Sequence, residues 1–143
     1  MPQAYAAILG DPAVRVPLRL AWEDSQPGTA IAHEEGGFVL RDETGELTTL
    51  RWPRGSQKSI LMPSHTGCRI GEKHIAATFH THPNVASEYL QEPGETDRRA
   101  VRDDPDLKGK FYVGEFVISY ARTYLIGPNG QVIDVGETAA LLT

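Results

Sequence analysis

The sequence predicts an α/β fold in which a mixed β-sheet is flanked by helices. Apolar runs with β-branched and aromatic residues occur at 37–52, 74–79 and 115–135, and turn-forming Gly, Pro, Asn or Asp residues lie beside them. A charged segment with helical spacing, 95–104, separates the last two runs. This order of strands, helix and strands is typical of a sheet with helices packed on it. At 143 residues, the chain fits one domain, 1–143.

The N-terminal third is expected to contain a short helix followed by a hairpin. Residues 1 to about 30 include four prolines, which leave room only for a short helix at 16–25, VPLRLAWEDS, between loops. The segment 37–52, GFVLRDETGELTTLRW, predicts a β-hairpin with Gly45 at its polar tip. The residues SILM at 59–62 form a possible short edge strand within a stretch rich in Pro, Gly, Ser and Lys.

The compact apolar run HIAATF, at 74–79 and followed by His80, predicts a buried central strand. After a loop at 83–94, the segment ETDRRAVRDD predicts a short helix that Pro105 stops. Two or three strands are expected at 115–135, around the turn signal Pro-Asn-Gly at 128–130.

Charge and cysteine content limit the partners and the compartment. The net charge of −5 argues against a nucleic-acid surface and favours a protein or small-molecule partner. The single Cys68 gives no sign of an oxidising compartment. Because no signal segment and no run of 18 apolar residues occurs, we expect a soluble, cytoplasmic protein without a membrane partner.

The sequence FHTHPN places His80 and His82 on one face of the central strand. If the strand is regular, His74, Ala76 and Thr78 share that face. His80 and His82 then lie about 6.6 Å apart along the strand, a separation that two imidazoles can bridge by leaning toward one ion. A catalytic zinc site usually has three protein ligands and a water, so a third ligand is expected downstream.

Asp97 is the best candidate for the third ligand. It lies in the first turn of the predicted helix, and Ala100 and Val101 follow on the same side, which we expect to pack on the sheet. A carboxylate at this position is also favoured by the helix dipole, so Asp97 has an alternative role without a metal.

These residues resemble the JAB/MPN (JAMM) metalloprotease superfamily, including its bacterial RadC-like branch. His80-Thr81-His82-Pro83, followed by Glu92-Pro93-Gly94-Glu95-Thr96-Asp97, is similar to the family signature of His-x-His-Pro and then Pro-Ser-x-x-Asp. The family also has an upstream Glu in the form Glu-x-x-Gly, which Glu34 matches best, with Glu35 in reserve. The resemblance covers about residues 30 to 135.

The resemblance implies a cytidine-deaminase-like α/β fold and a zinc-dependent hydrolase of peptide or isopeptide bonds. In that role His80, His82 and Asp97 hold Zn²⁺, and Glu34 is the general base that activates the metal-bound water. The substrate implied is a protein or peptide, in many cases with an extended C-terminal tail that could add to a sheet edge. Without the resemblance, Glu34 and Glu35 before two glycines would indicate a solvated turn.

The sequence departs from the family at Gly94, where the family has a serine thought to hydrogen-bond the oxyanion, and its preceding loop is longer. Losing one such donor lowers turnover by about 10²- to 10³-fold. Thr96, Ser87 or a backbone N–H could replace it. Gly94 is therefore also compatible with a catalytically impaired protein-interaction module. A two-metal phosphoester hydrolase is a third hypothesis, for which further ligands are missing near the His pair.

Overall fold

A computed structural model describes residues 4–84 and 91–143. In this part of the chain, a seven-stranded sheet of mixed strand direction carries helices on both faces, so the predicted α/β class is confirmed. The helices are α1 (Ala4–Gly10), α2 (Pro12–Asp24), α3 (Glu95–Arg102) and α4 (Thr138–Leu141), with a 3-10 turn at Pro105–Leu107. The strands are β1 (Gly36–Arg41), β2 (Leu47–Arg51), β3 (Arg69–Ile70), β4 (Lys73–His82), β5 (Glu115–Ser119), β6 (Arg122–Ile126) and β7 (Val132–Glu137).

The sheet has the strand order β2-β1-β4-β5-β6-β7, and β3 pairs with the first residues of β4. The β4 strand is central, as predicted, and the β4–β5 pair is parallel while the other pairs are antiparallel. A parallel pair needs a crossover connection, which α3 supplies between β4 and β5. The predicted helix at 95–104 and the predicted strands at 115–135 are confirmed, the latter as three strands.

The N-terminal region is more helical than the prolines indicate. The expectation of one short helix at 16–25 is wrong in extent, because α1 and α2 together occupy most of residues 4–24. One proline opens α2 instead of preventing it, and the Asp11 side chain caps the helix by accepting a hydrogen bond from the Ala13 N–H at 2.9 Å. Pro17 lies inside α2 and has no N–H to donate to the carbonyl of Ala13, four residues earlier. Because Ala13 is exposed, its carbonyl can be hydrated instead.

The predicted hairpin is confirmed as β1 and β2, but the predicted edge strand at 59–62 is wrong. Residues 59–62 belong to no strand, and Leu61 is 87% exposed. A strand at 59–62 would have to pair with β4, but β3 already pairs with the first residues of β4. The segment instead runs along a cleft that is described below.

A β-bulge changes the predicted face of the central strand. Val39 pairs with Ala77 and the next residue, Leu40, pairs with Ile75, so Ala76 is the extra residue in β4. The neighbours Ala76 and Ala77 consequently pack in the same core cluster, and Ile75 packs in the other. The expectation that His74 and Ala76 share a face with His80 and His82 is therefore wrong, although alternation holds from Thr78 onward.

Two apolar clusters lie on the two faces of the sheet and anchor the helices. The first joins α1 and α2 to the sheet and includes Val14, Leu18, Ala21, Ala77, Phe79, Phe116 and Ile118. The second joins α3 and the 3-10 turn to the sheet and includes Phe38, Trp52, Ile75, Val101, Leu107, Val117 and Ile126. Among the residues described, no helix has both the length and the apolar character that crossing a membrane requires.

Candidate metal centre

The candidate site lies where the central strand ends and the crossover helix begins. His80 and His82 are at the carboxyl end of β4, and Asp97 is in the first turn of α3. Ligand sites in α/β sheets commonly lie outside the carboxyl ends of the strands, because the chain leaves the sheet there and returns through a helix. The parallel β4–α3–β5 connection therefore brings three side chains together that are up to 17 positions apart in the sequence.

The three predicted ligand side chains converge. The Nε2 atoms of His80 and His82 are 3.2 Å apart. Asp97 places Oδ1 at 3.5 Å from Nε2 of His80 and Oδ2 at 3.3 Å from Nε2 of His82. In the described part of the chain, this is the only group of three His, Cys, Asp or Glu side chains that could share an ion.

The separations of these atoms fit a tetrahedral ion. Bonds of about 2.0 to 2.1 Å in a tetrahedral arrangement place neighbouring ligand atoms about 3.3 to 3.4 Å apart. The two Nε2 atoms are 3.2 Å apart, close to that value, and the two Asp97 oxygens lie at 3.5 Å from His80 and 3.3 Å from His82, one oxygen facing each ring. Two imidazoles and one carboxylate are also a ligand set that leaves a fourth position open. The triad could therefore hold a metal ion.

A buried carboxylate orients the first histidine. Glu115, the first residue of β5, contacts Nδ1 of His80. Because a carboxylate accepts the Nδ1–H, the lone pair of Nε2 is directed toward His82 and Asp97. Glu115 in turn accepts a hydrogen bond of 2.8 Å from the Thr78 hydroxyl, which leaves Tyr112 to donate to the Thr78 oxygen at 2.7 Å.

Burial and charge shift the pKa of His80 in opposite directions. Burial alone would lower this pKa, but the negative charges of Glu115 and Asp97 raise it well above the ordinary value for histidine. Without a metal, a proton on His80 is therefore favoured. A metal ion must displace that proton before it can bind.

Asp97 combines the two roles that the sequence left as alternatives. Its Oδ2 accepts a hydrogen bond from the Gly94 N–H at 3.1 Å, which caps α3, while the carboxylate also faces both imidazoles. Burial raises the pKa of Asp97, but hydrogen bonds from His80 and His82 lower it further, so the net shift is well below the ordinary value. Asp97 is thus ionised, as a metal ligand must be. The expected packing of its helix side is confirmed for Val101, whereas Ala100 is exposed on the cleft.

The structure separates the two acidic residues before β1. Glu34 is 7% exposed and lines the same cleft as the triad, and its backbone is held by hydrogen bonds with Gly55 and Ser56. Burial raises the pKa of Glu34, and the nearby His80 and His82 lower it in part. The solvated turn that the acidic pair alone would indicate is therefore not observed, because Glu34 is buried.

Glu35 has a different environment, although it is equally buried. Its Oε1 accepts a hydrogen bond from Arg51 at 2.7 Å, and its Oε2 lies 2.7 Å from Nε2 of His33. Its backbone N–H donates to the Thr81 hydroxyl at 3.0 Å. Both carboxylate oxygens are therefore occupied, and Glu35 does not line the cleft of the triad.

The cleft has a volume of about 810 Å³, and both polar and apolar side chains line it. The triad, Glu34 and Glu115 are among its polar residues. The segment 58–62 forms a wall with Trp52 beside it, and Ile60, Leu61 and Met62 give this wall its apolar character. A cleft with a few convergent polar groups beside an apolar wall is typical of a ligand site.

The donors considered as replacements for the family serine differ in position. Gly94 precedes α3 and has no side chain, and its N–H is used to cap the helix. Thr96 is exposed and lines the cleft. Ser87 lies outside the described residues.

Sequence reasoning missed Glu115, the residue that orients His80. The available signal was a carboxylate that opens an otherwise apolar strand, EFVIS, in which all five residues are buried. A buried acidic residue at such a position needs a partner, since burying an unpaired charge is costly. The sequence could not identify that partner, because the partner depends on the pairing of β4 with β5.

No protein-family model matches the chain. Searches of curated proteins and of solved structures also find no match. The likeness to the JAB/MPN superfamily therefore rests on the motif residues around His80, His82 and Asp97.

Proposed function

We propose that the chain is a zinc-dependent hydrolase of peptide or isopeptide bonds, of the JAB/MPN type that its motifs resemble. His80, His82 and Asp97 would hold the zinc ion, and Glu34 would be the general base. The observation that carries this proposal is the convergence of three ligand side chains that could share one ion, with the buried Glu34 carboxyl group in the same cleft.

Each part of the site has a definite chemical task in this proposal. A zinc ion, when bound, supplies Lewis acidity that makes a water more acidic and polarises a carbonyl group. The Glu34 carboxylate accepts a proton from the attacking water and delivers it to the leaving amine.

The proposed substrate is a protein or peptide with an extended segment, such as a C-terminal tail, that reaches the triad. The open cleft admits a chain, and its wall at 58–62 offers apolar contacts beside the polar site. With Gly94 at the position of the family serine, Thr96 is the candidate replacement from the sequence whose side chain lines the cleft, and it lies one residue before Asp97. Thr96 is the side chain that we propose as the replacement donor.

Substitution of Glu34 by Gln tests the catalytic role. We expect the purified wild-type protein to contain about one zinc per chain and to cleave members of a library of extended and isopeptide-linked peptides, monitored by mass spectrometry. Glu34→Gln should keep its zinc and lose about 10²- to 10⁴-fold in cleavage rate, the usual contribution of general acid–base catalysis. Glu35→Gln, at an equally buried carboxylate outside the cleft, is the matched control. Equal zinc in wild-type protein and His80→Ala would contradict the site assignment.

A protein-interaction module is the second candidate, because Gly94 provides no side-chain donor and its N–H is already used. Such a module would bind its partner unchanged in the Glu34→Gln variant and would cleave no library member in either form. Retained zinc without any cleavage by the wild-type protein would therefore favour the module over the hydrolase.

A further inference from the structure

A row of basic side chains crosses three neighbouring strands at the end of the sheet remote from the metal centre. Arg41 of β1 pairs with His74 of β4, and His74 pairs on its other side with Arg69 of β3. His74 and His82 are separated by eight residues of β4, or about 26 Å at the rise of a strand. The row therefore cannot touch a ligand that is bound only at the metal centre.

Phe111 and Lys110 complete this surface. The Arg41 guanidinium lies 4.1 Å from the centre of the Phe111 ring, and the Lys110 ammonium lies 5.2 Å from it. His74 meets the same ring edge-on at 4.8 Å between centroids. The Phe111 ring thus interacts with cations from two segments of the chain. Arg69 and Lys110 are exposed to solvent. We call Arg41, Arg69, His74 and Lys110 the basic row.

No carboxylate among the described residues forms an ion pair with the basic row. Arg41, Arg69 and Lys110 form no ion pair in the described part of the chain, although the chain has a net charge of −5. The nearby Asp42 is directed into its own hairpin turn, where Oδ1 accepts hydrogen bonds from Thr44 and Glu46. Intramolecular pairing therefore does not explain why these cations are gathered.

The arrangement has a cost for the folded chain. Like charges at directly opposite positions of neighbouring strands are destabilising. The pKa of His74 reflects this repulsion, since partial desolvation and then the charges of Arg69, Lys110 and Arg41 all lower it. The Arg69 guanidinium donates to the neutral His74 ring at 3.2 Å. A bound anion would remove the repulsion.

We propose that the basic row is a docking surface for an acidic segment of a partner protein. Arg41 and Arg69 are two strand spacings apart, about 9.5 Å, which an extended peptide spans with carboxylates two or three residues apart. Guanidinium groups pair with carboxylates through two parallel hydrogen bonds, so Arg at both ends of the row suits Asp or Glu side chains.

An acidic peptide fits this surface better than a nucleic acid does. Single-stranded nucleic acids bind through aromatic rings with a free face for base stacking, whereas Arg41, His74 and Lys110 already surround the Phe111 ring. A long polyanion would also be repelled by the net charge of −5, and only a few cations are present to offset that repulsion. This inference does not depend on the proposed hydrolase function.

The direct test is binding of a fluorescein-labelled octapeptide of alternating Glu and Ser, followed by fluorescence anisotropy at low salt. The double variant Arg41→Gln/Arg69→Gln should bind at least about tenfold more weakly, as expected from the loss of hydrogen bonds to charged groups. Arg15→Gln/Arg19→Gln removes the same two charges from α2, where neither residue forms an ion pair with the described residues, and should bind within about twofold of wild type.

Three results would overturn the proposal. The first is peptide binding that falls equally in the two double variants, which would show an effect of net charge alone. The second is tighter, row-dependent binding of an eight-nucleotide thymidine oligomer, which would identify a nucleic-acid surface. The third is displacement of the peptide by inorganic phosphate at equal concentration, which would identify a simple anion site. Thermal melts check that both double variants remain folded at the temperature of the binding experiment.

Discussion

The two glycines that open β1 allow the strand to lie against the core directly beside Glu34. A Cβ on Gly36 would lie 2.6 Å from the Trp52 ring and 2.7 Å from the carbonyl oxygen of Phe79. Gly37 is similarly enclosed by Phe79 and a backbone carbonyl. A backbone oxygen cannot move aside as a flexible side chain can, so these contacts set how closely β1 approaches β4.

Gly36→Ala should therefore reduce the free energy of unfolding by about 1 to 3 kcal/mol, the usual effect of overpacking. Gly10→Ala is the control, because a Cβ there has no atom within 4 Å and Gly10 ends α1, where Ala is the better helix former. Urea unfolding of both variants gives the comparison. Equal midpoints for Gly36→Ala and wild type would show that β1 can shift without cost.

Glu115 should tune the metal centre through His80. Glu115→Gln keeps a hydrogen-bond acceptor but removes the charge, and loss of such a partner typically lowers metal affinity by about 10- to 100-fold. Competition with a chromophoric chelator measures the zinc affinity. Glu35→Gln, at a carboxylate of similar burial that is paired with Arg51, should leave that affinity unchanged. The same affinity in Glu115→Gln and wild type would show that Glu115 only fills space.

At the scale of the residue, the candidate site could be predicted where chemistry is local. The spacing of His80 and His82 and the helix position of Asp97 follow from strand and helix periodicity, and the structure brings these three together. Glu115 could not be predicted, because its contact with His80 depends on the register of the parallel strands β4 and β5. That register is set by packing between segments distant in the sequence.

At the scale of the element, apolar patterns predicted the hairpin, the central strand, α3 and the last strands. The patterns failed where tertiary contacts decide the outcome. The segment 59–62 has the composition of a strand but forms the cleft wall, since β3 occupies the neighbouring edge of β4. The bulge at Ala76 is also invisible in the sequence, because it depends on how β1 pairs with β4.

The loop that leads from the cleft wall back to the sheet is tied to the segment after α3 by an ion pair. Nε2 of His65 lies 2.8 Å from Oδ2 of Asp104, and its Nδ1 lies 2.8 Å from the Pro63 carbonyl. Burial lowers the pKa of His65, but the Pro63 carbonyl and the carboxylates of Asp104 and Asp106 raise it more, so the net shift is upward. The folded chain therefore binds a proton at His65 more tightly than the unfolded chain does.

Because the folded pKa of His65 is raised, its contribution to stability is fully present below the unfolded value of about 6.5 and is lost as pH rises through the folded pKa. The stability difference between wild type and His65→Gln should therefore be larger at pH 5.5 than at pH 8.5. Urea unfolding at the two pH values measures it, and His74→Gln serves as a control with the opposite direction of shift. A difference that grows with pH would contradict this account of the ion pair.

At the scale of the whole molecule, the candidate metal centre joins segments that the fold brings together from four parts of the chain. Glu34 precedes β1, the two histidines end β4, Asp97 begins α3 and Glu115 begins β5. A ligand that binds only when these parts are assembled stabilises the folded state by mass action. The stability of the chain should consequently report on metal binding even where no substrate is known.

Zinc at about 100 times its dissociation constant should stabilise the fold by about 2.7 kcal/mol, which corresponds to about 5 to 10 °C in Tm. The stabilisation should grow from pH 6 to pH 8, because zinc must displace the proton favoured on His80. Without zinc the sign is opposite, since the raised pKa of His80 contributes stability that is lost as pH rises through its folded value. Thermal melts with zinc and with a chelator separate the two trends. His80→Ala should abolish the zinc-dependent shift and His74→Ala should retain it, whereas a shift of equal size in both variants would place the ion elsewhere.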